Sequence, residues 1–210
     1  MEKIDTFYNT LSRERMAVFQ HIAKKSDKCV FDLYVLDILI SQSLYIMLHC
    51  LELSLRNKIH TKATEFYGTE NWIDMVKWSE YQKVQIANAK LKLSKNQNSK
   101  PSNIITHLTF GFWADLFGKD YVVFYNNVAK HVLNDSIVKR KQVHSALTSA
   151  RQLRNRVAHY EIIIKNKCIL HKYCNDTIFA LELLASELCI YAFEKEKLQG
   201  LLSNLDTCEC

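Results

Sequence analysis

Residues 32–66 read DLYVLDILISQSLYIMLHCLELSLRNKIHTKATEF, and the pattern of this stretch indicates a helical fold. Apolar residues at its centre recur at steps of four, three, four and four, the spacing of one α-helical face. They are Leu44, Leu48, Leu51, Leu55 and Ile59. The part without formal charge, 38–51, is only 14 residues long, whereas a membrane span needs about 20 apolar residues. The stretch therefore predicts a long core helix from Asp32 to Phe66, stopped at Gly68, and no membrane contact.

The same predicted helix carries a second, polar row at similar spacing. Its members are His49, Glu52, Arg56 and His60. Polar side chains on so apolar a helix need hydrogen-bonding partners inside the bundle. We therefore expect this row to face another polar element of the fold.

The rest of the chain also favours helices. Its 210 residues include four glycines and one proline, too few for the many turns of a sheet-rich protein. Helices are predicted over 6–25, 80–93, 120–133, 139–159 and 176–196, with another capped near Ser102 or Asn103, a linker at 94–101 and an extended stretch at 160–170. The prediction is an all-α fold, one domain over residues 1–210, in which long antiparallel helices and short accessory helices form a single bundle.

The cysteines and the N-terminus predict a reduced, cytoplasmic protein without metal or cofactor. The seven cysteines are odd in number and irregularly spaced, and they lack the paired CxxC pattern of zinc sites. Only Cys208 and Cys210, separated by one residue, weakly suggest a metal ligand pair. The opening MEKIDTFYNT has no apolar segment behind a basic start, so no secretory signal is visible. Free thiols are typical of such a compartment.

Positive charge is concentrated in one part of the chain. Residues 139–172 hold nine Lys or Arg and one acid, while the last 38 residues carry a net charge of −5. A basic block in an otherwise balanced protein is typical of a surface that meets a polyanion. A solvated helix face explains the same block equally well.

The segment SARQLRNRVAHYE, residues 149–161, lies in this block and can do chemistry. Arginine presents a planar fork of donors that matches phosphate oxygens, and histidine transfers protons near neutral pH. Together they suffice to cleave RNA without a metal, because the 2′-hydroxyl of the substrate is itself a nucleophile. The hypothesis is catalysis by Arg154 and His159. The alternative is a histidine that stabilises a helix end, with solvated arginines around it.

Helical spacing divides this segment into two parts. Asn155 and His159 are four residues apart, so the amide can orient the imidazole from the same face. Arg154 and His159 are five apart, about 140° around a helix of roughly 3.6 residues per turn. They meet at one phosphate if the helix ends near His159, or if two copies of the chain face each other.

Three segments, in this order, resemble the bacterial Abi-like (abortive infection) proteins of the HEPN ribonuclease superfamily. LELSLRN at 51–57 resembles their LEvaLRN segment, LTFGFWADLF at 108–117 resembles SFGFWvxLF, and LRNRVAH at 153–159 resembles LRNRiaHHEP. Arg154, Asn155 and His159 fit the Rx4–6H motif of that superfamily. The resemblance covers residues 11–188. Where the family has a second histidine followed by Glu-Pro, this chain has Tyr160, Glu161 and Ile162, so Tyr160 is the remaining hydrogen-bond donor there.

The resemblance implies a HEPN-type helical bundle and a toxin-type endoribonuclease that restricts phage. It also implies a homodimer with a composite active site, and restraint by an antitoxin protein or RNA. Arg154, Asn155 and His159 are then the catalytic residues. Glu52 and Arg56, as an i, i+4 pair, are expected to hold Arg151 or Arg154, with Asn57, Tyr160 and Glu161 as further supporting residues.

RNA binding is assigned to the basic residues around this motif. They are Lys139, Arg140, Lys141, Arg151 and Arg156. The same residues support the competing hypothesis, a non-catalytic HEPN-like module that binds RNA or a protein. A helical DNA-binding regulator is a third possibility, although no helix-turn-helix spacing stands out.

Overall fold

The computed structural model of the protein describes residues 2–94, 100–135 and 137–206. Within these ranges the chain forms nine α-helices, four 3-10 turns and no strand, so the all-α prediction is confirmed. The α-helices are α1 (Glu2–Thr10), α2 (Arg13–Ala23), α3 (Val30–Tyr67), α4 (Glu80–Ser94), α5 (Phe110–Asp115), α6 (Val122–Asn127), α7 (Arg140–Ala158), α8 (Lys167–Leu184) and α9 (Cys189–Asp206). The 3-10 turns are Trp72–Met75, Pro101–His107, Lys119–Tyr121 and Ala129–Val132. Cys208 and Cys210, and most of the predicted linker at 94–101, lie outside the described residues.

Helix α3 is the central element, and its limits match the predicted ones closely. Its N-cap is Cys29, whose Sγ accepts a hydrogen bond from the Asp32 amide at 3.4 Å. Gly68 ends it in the left-handed conformation at φ 70°, where glycine has no Cβ to clash. The five residues of the predicted apolar row are all at most 2% exposed. In the described part of the chain, α3 is also the one helix long and apolar enough to cross a membrane by length and composition.

The long helices pack around α3 in alternating directions. The Tyr173 hydroxyl of α8 donates to the Gln152 side chain of α7 at 2.6 Å, near the middle of a helical hairpin. Helices α8 and α9 are antiparallel. Two contacts at opposite ends of this pair show it: Lys195–Glu182 at 2.6 Å and His171–Asp206 at 2.8 Å. This arrangement lays the C-terminal half of α7 against the middle of α3.

The segment of α5 fills the core at the other end of α7. Phe110, Phe112, Trp113 and Phe117 are each at most 2% exposed, as expected for core residues rather than a base-stacking platform. Trp78 packs against Phe112 with ring centroids 5.1 Å apart. This ring contact joins the segment just before α4 to α5.

Three predicted helices are interrupted in the structure. The helix predicted over 6–25 is two helices, because Ser12 at φ 72° turns the chain and caps α2 through the Arg15 amide. The helix predicted over 120–133 is two 3-10 turns around α6, broken at Val128. The helix predicted over 176–196 is the end of α8 and the start of α9. Helix α8 stops where the amide and side chain of Asn134 occupy the carbonyls of Leu183 and Glu182.

The helix predicted to start near Ser102 or Asn103 is also different in form. A 3-10 turn covers Pro101–His107, and α5 begins separately with Thr109 as its N-cap. The Thr109 Oγ1 accepts from the Phe112 amide at 3.3 Å. This cap sets the start of α5 later than the sequence signal suggested.

The extended stretch predicted at 160–170 is wrong. Residues 159–166 form an irregular connection, and α8 begins at Lys167 with the Asn166 side chain as its cap. Ile163 and Ile164 are at most 1% exposed. Their amides donate to the carboxylate of Asp37 on α3, at 2.9 and 3.1 Å, instead of to a strand.

Candidate active site

Helix α7 ends at the motif. An end near His159 was one of the two arrangements that would let Arg154 and His159 meet at one phosphate. The last residue of α7 is Ala158, and His159 is the C-cap, with its amide donating to the Asn155 carbonyl at 3.0 Å. Tyr160 follows in the left-handed conformation at φ 55°, which is costly for a residue with a side chain. The chain therefore turns sharply immediately after the candidate catalytic histidine.

The connection behind His159 is fixed by side chains from three helices. Arg156 donates from Nη2 to the Ile162 carbonyl at 2.9 Å and pairs through Nε with Glu161 at 3.2 Å. Arg15 of α2 donates to the Tyr160 carbonyl at 2.7 Å. Together with Asp37, these contacts hold the turn in one conformation. Arg156 was predicted as an RNA contact, and Glu161 as a supporting residue; the structure pairs them with each other.

Asp37 is a residue that the sequence reasoning missed. It is 3% exposed, and burial raises the pKa of its carboxyl, although the two amide bonds and the charges of Arg15 and Arg156 oppose this. The signal for it was present, since Asp37 occurs in phase with the apolar positions Leu33 and Leu44 of α3. A carboxylate in an apolar row requires buried donors.

Arg154 lies in a small pocket between α3 and α7. The pocket has a volume of about 120 Å³ and is lined by Tyr45, Leu48, His49, Glu52, Arg154, Val157 and Ala158. Arg154 Nε is 3.4 Å from Glu52 Oε2, so the contact expected between this pair is present. Their side chains are 44% and 24% exposed, which leaves the guanidinium accessible to a ligand. The Glu52 carboxylate therefore lies beside the arginine at the edge of the pocket.

His49 is a second residue that was not assigned a role from the sequence. It lines the same pocket, one helical turn before Glu52. Its ring stacks on that of Tyr45, with centroids 6.3 Å apart and an interplanar angle of 18°. The polar row of α3 contained His49, but its spacing alone could not tell which helix that row faces.

The other residues predicted near the motif are placed as follows. The side chains of Asn155 and His159 are exposed, and no hydrogen bond joins them within the described residues. His159 is also absent from the described residues that line the Arg154 pocket. Arg56 does not reach Arg151 or Arg154; its Nε donates to the neighbouring Asn57 Oδ1 at 3.2 Å.

Arg151 contacts a different acid from the predicted one. Its Nη1 is 3.5 Å from Asp115 Oδ1 at the end of α5. A Cβ on Gly111 would lie 3.2 Å from the Arg151 Cδ, so glycine permits this close approach. Burial raises the pKa of Asp115, and burial lowers the pKa of the nearby His144.

The basic residues at the start of α7 border a larger cavity. It has a volume of about 600 Å³ and its lining includes Lys119, Arg140, Lys141, Asp115 and His144. Arg140 donates to the Phe117 carbonyl at 2.7 Å, whereas Lys141 is exposed, as is Lys139 outside the lining. The predicted RNA-binding residues are thus divided between this cavity and contacts within the fold. No group of three His, Cys, Asp or Glu side chains suited to a metal occurs in the described residues.

Comparison of the chain with protein-family models, with curated proteins and with solved structures finds no match.

Proposed function

We propose that this chain is a metal-independent endoribonuclease of the Abi-like HEPN class that acts as a toxin in anti-phage defence. The observation that carries the proposal is the Arg154–Glu52 ion pair in an open pocket. Ala158, the last residue of α7, also lines this pocket, and His159 follows it as the C-cap of the helix. A guanidinium paired with a carboxylate, together with an exposed imidazole, supplies the groups that phosphodiester cleavage without a metal requires.

In the proposed mechanism the 2′-hydroxyl oxygen of the substrate attacks its own phosphorus. An imidazole accepts the hydroxyl proton as the new P–O bond forms, and the 5′-oxygen takes up a proton as its bond to phosphorus breaks. Arg154 donates hydrogen bonds to the oxygens on which negative charge develops. The products are a 2′,3′-cyclic phosphate and a 5′-hydroxyl end.

A homodimer with a composite site fits the exposed surface beside the pocket. Ile38, Tyr45 and Tyr160 are 47%, 62% and 81% exposed, and all three line a depression of about 520 Å³ that continues from the end of α7. A second copy seated there would cover these side chains. It would also allow His159 of one chain to complete the Arg154 pocket of the other.

The toxin role implies a partner and a compartment. RNA is the substrate, an antitoxin protein or RNA holds the activity in check, and the site acts in the cytoplasm. These assignments follow from the resemblance of the three segments.

The proposal is tested by expressing the wild type and His159→Ala in cells and mapping cleavage ends in total RNA. We expect new ends with 2′,3′-cyclic phosphates only with the wild type. Intact RNA beside a toxic wild type would refute ribonuclease activity as the cause of toxicity.

A second candidate function is a non-catalytic module that binds RNA or a protein. It is favoured by the 600 Å³ cavity that Lys119, Arg140 and Lys141 border. Because Arg151 and Arg156 are engaged within the fold, charge reversal at exposed Lys141 is the cleaner test. If Lys141→Glu abolishes RNA binding while His159→Ala leaves every measured effect unchanged, the binding module is correct.

A further inference from the structure

Cleavage by the 2′-hydroxyl requires two proton transfers, one from the attacking oxygen and one to the leaving oxygen. His159 accounts for one of them. Tyr160, the residue at the position of the second family histidine, is 81% exposed and does not line the Arg154 pocket in the described structure. His159 of the same chain does not line that pocket in the described structure either, so the candidates for the second proton-transfer group are the residues that do line it.

His49 meets the geometric requirements for this group. It lies on α3 one turn from Glu52, and both side chains line the pocket that contains Arg154. The pocket volume of about 120 Å³ exceeds that of a few water molecules, so the space that Arg154 and His49 both line has room for a phosphate group.

The nitrogens of the His49 ring are available. The ring lies nearly parallel to that of Tyr45, at 18° and with centroids 6.3 Å apart. No hydrogen bond formed within the described residues involves the His49 side chain, and the residue is exposed, so a proton can exchange with solvent. His60, the other histidine of this polar row, is different. Its Nδ1 accepts a hydrogen bond from Trp72 Nε1 at 3.0 Å, so that nitrogen is already engaged.

We infer that His49 is the second proton-transfer residue of the site, supplied by the same chain as Arg154. This inference rests on the proposed ribonuclease activity. As the 2′-oxygen bonds to phosphorus, its proton passes to one neutral imidazole of the His49 and His159 pair. As the bond from phosphorus to the 5′-oxygen breaks, that oxygen takes a proton from the other, protonated imidazole. Exchange of one proton with water then restores both histidines.

The decisive experiment compares the wild type with His49→Ala and His49→Gln in RNA cleavage across pH. The wild type should give a bell-shaped profile, and both variants should lose one limb of it and about 10²–10⁴-fold in kcat, with KM little changed. Glutamine can form hydrogen bonds but cannot transfer a proton. If His49 had only a structural role, His49→Gln would therefore keep the cleavage activity that His49→Ala loses. Wild-type rates in His49→Gln, or a complete bell in His49→Ala, would overturn the inference.

Two controls separate this inference from the proposed function. His107→Ala, at an exposed histidine in the 3-10 turn before α5, should retain the wild-type rate. Titration of the wild type with inorganic phosphate should move the NMR signals of the His49 ring, and Arg154→Ala should abolish the movement. A ring that does not respond to phosphate contradicts the inference even if no RNA is cut, whereas a wild type without cleavage contradicts the proposed function.

Discussion

Replacing Asp37 by alanine should destabilise the protein by removing the acceptor that holds the turn behind His159. The carboxylate is 3% exposed and receives two backbone N–H groups of buried residues, Ile163 and Ile164. Each buried donor left without a partner costs about 1–3 kcal/mol, so the loss of both bonds should lower the free energy of unfolding by about 2–6 kcal/mol. Urea denaturation followed by circular dichroism measures it. A loss below about 0.5 kcal/mol, the range of ordinary surface substitutions, would refute the assignment.

Asp37→Asn is the matched control, because both bonds end on Oδ1, which asparagine retains. Its stability at neutral pH should lie within about 1 kcal/mol of the wild type, since it loses charge-assisted bonds but avoids the burial of a charge. Burial raises the pKa of Asp37, so the folded state binds its proton more tightly than the unfolded state. The stability of the wild type relative to Asp37→Asn should therefore be greatest below the ordinary aspartate pKa and fall as pH rises through the raised one. A pH-independent difference would contradict this.

Four further outcomes are expected at the motif. Glu52→Gln should change the free energy of unfolding by less than about 1 kcal/mol, because the pair with Arg154 is partly exposed. It should nevertheless lower kcat/KM for RNA, because the guanidinium loses its partner; an unchanged kcat/KM would contradict this role of Glu52. Tyr160→Gly should raise Tm by relieving the φ of 55°, a strain of about 1 kcal/mol or more; an unchanged or lower Tm in a thermal scan would count against strain. Gly111→Ala, with a Cβ 3.2 Å from the Arg151 side chain, should lower Tm more than Gly200→Ala, at a glycine with open space around it. RNA cleavage should persist in EDTA, and loss of activity restored by a divalent cation would contradict a metal-independent mechanism.

The elements that the sequence predicted well are those whose signals are local. Helix α3 has an apolar row, a polar N-cap region and Gly68, and α7 has a continuous amphipathic pattern that ends at the motif. The interrupted helices depend on distant partners instead. At the end of α8, Asn134, far away along the chain, bonds two of the last carbonyls, and no spacing within α8 contains that information.

The candidate site was predictable in its residue types but only partly in its contacts. The family resemblance implied that Glu52 approaches Arg151 or Arg154, and the structure has the contact with Arg154. Asp37 and Arg15 contact backbone groups more than 120 residues away, and such bonds leave no pattern in the sequence. His49 was visible as part of a row, yet its place beside Arg154 required the packing of α3 on α7.

The central claim is that Arg154 and His159 cleave RNA through the 2′-hydroxyl. The most direct measurement incubates the purified protein with a defined RNA in EDTA and determines the chemistry of the new 3′ ends, beside His159→Ala of verified fold. The predicted result is 2′,3′-cyclic phosphate ends with the wild type and intact RNA with the variant. Intact RNA in both reactions, or the same cyclic phosphate ends in both, would contradict the claim.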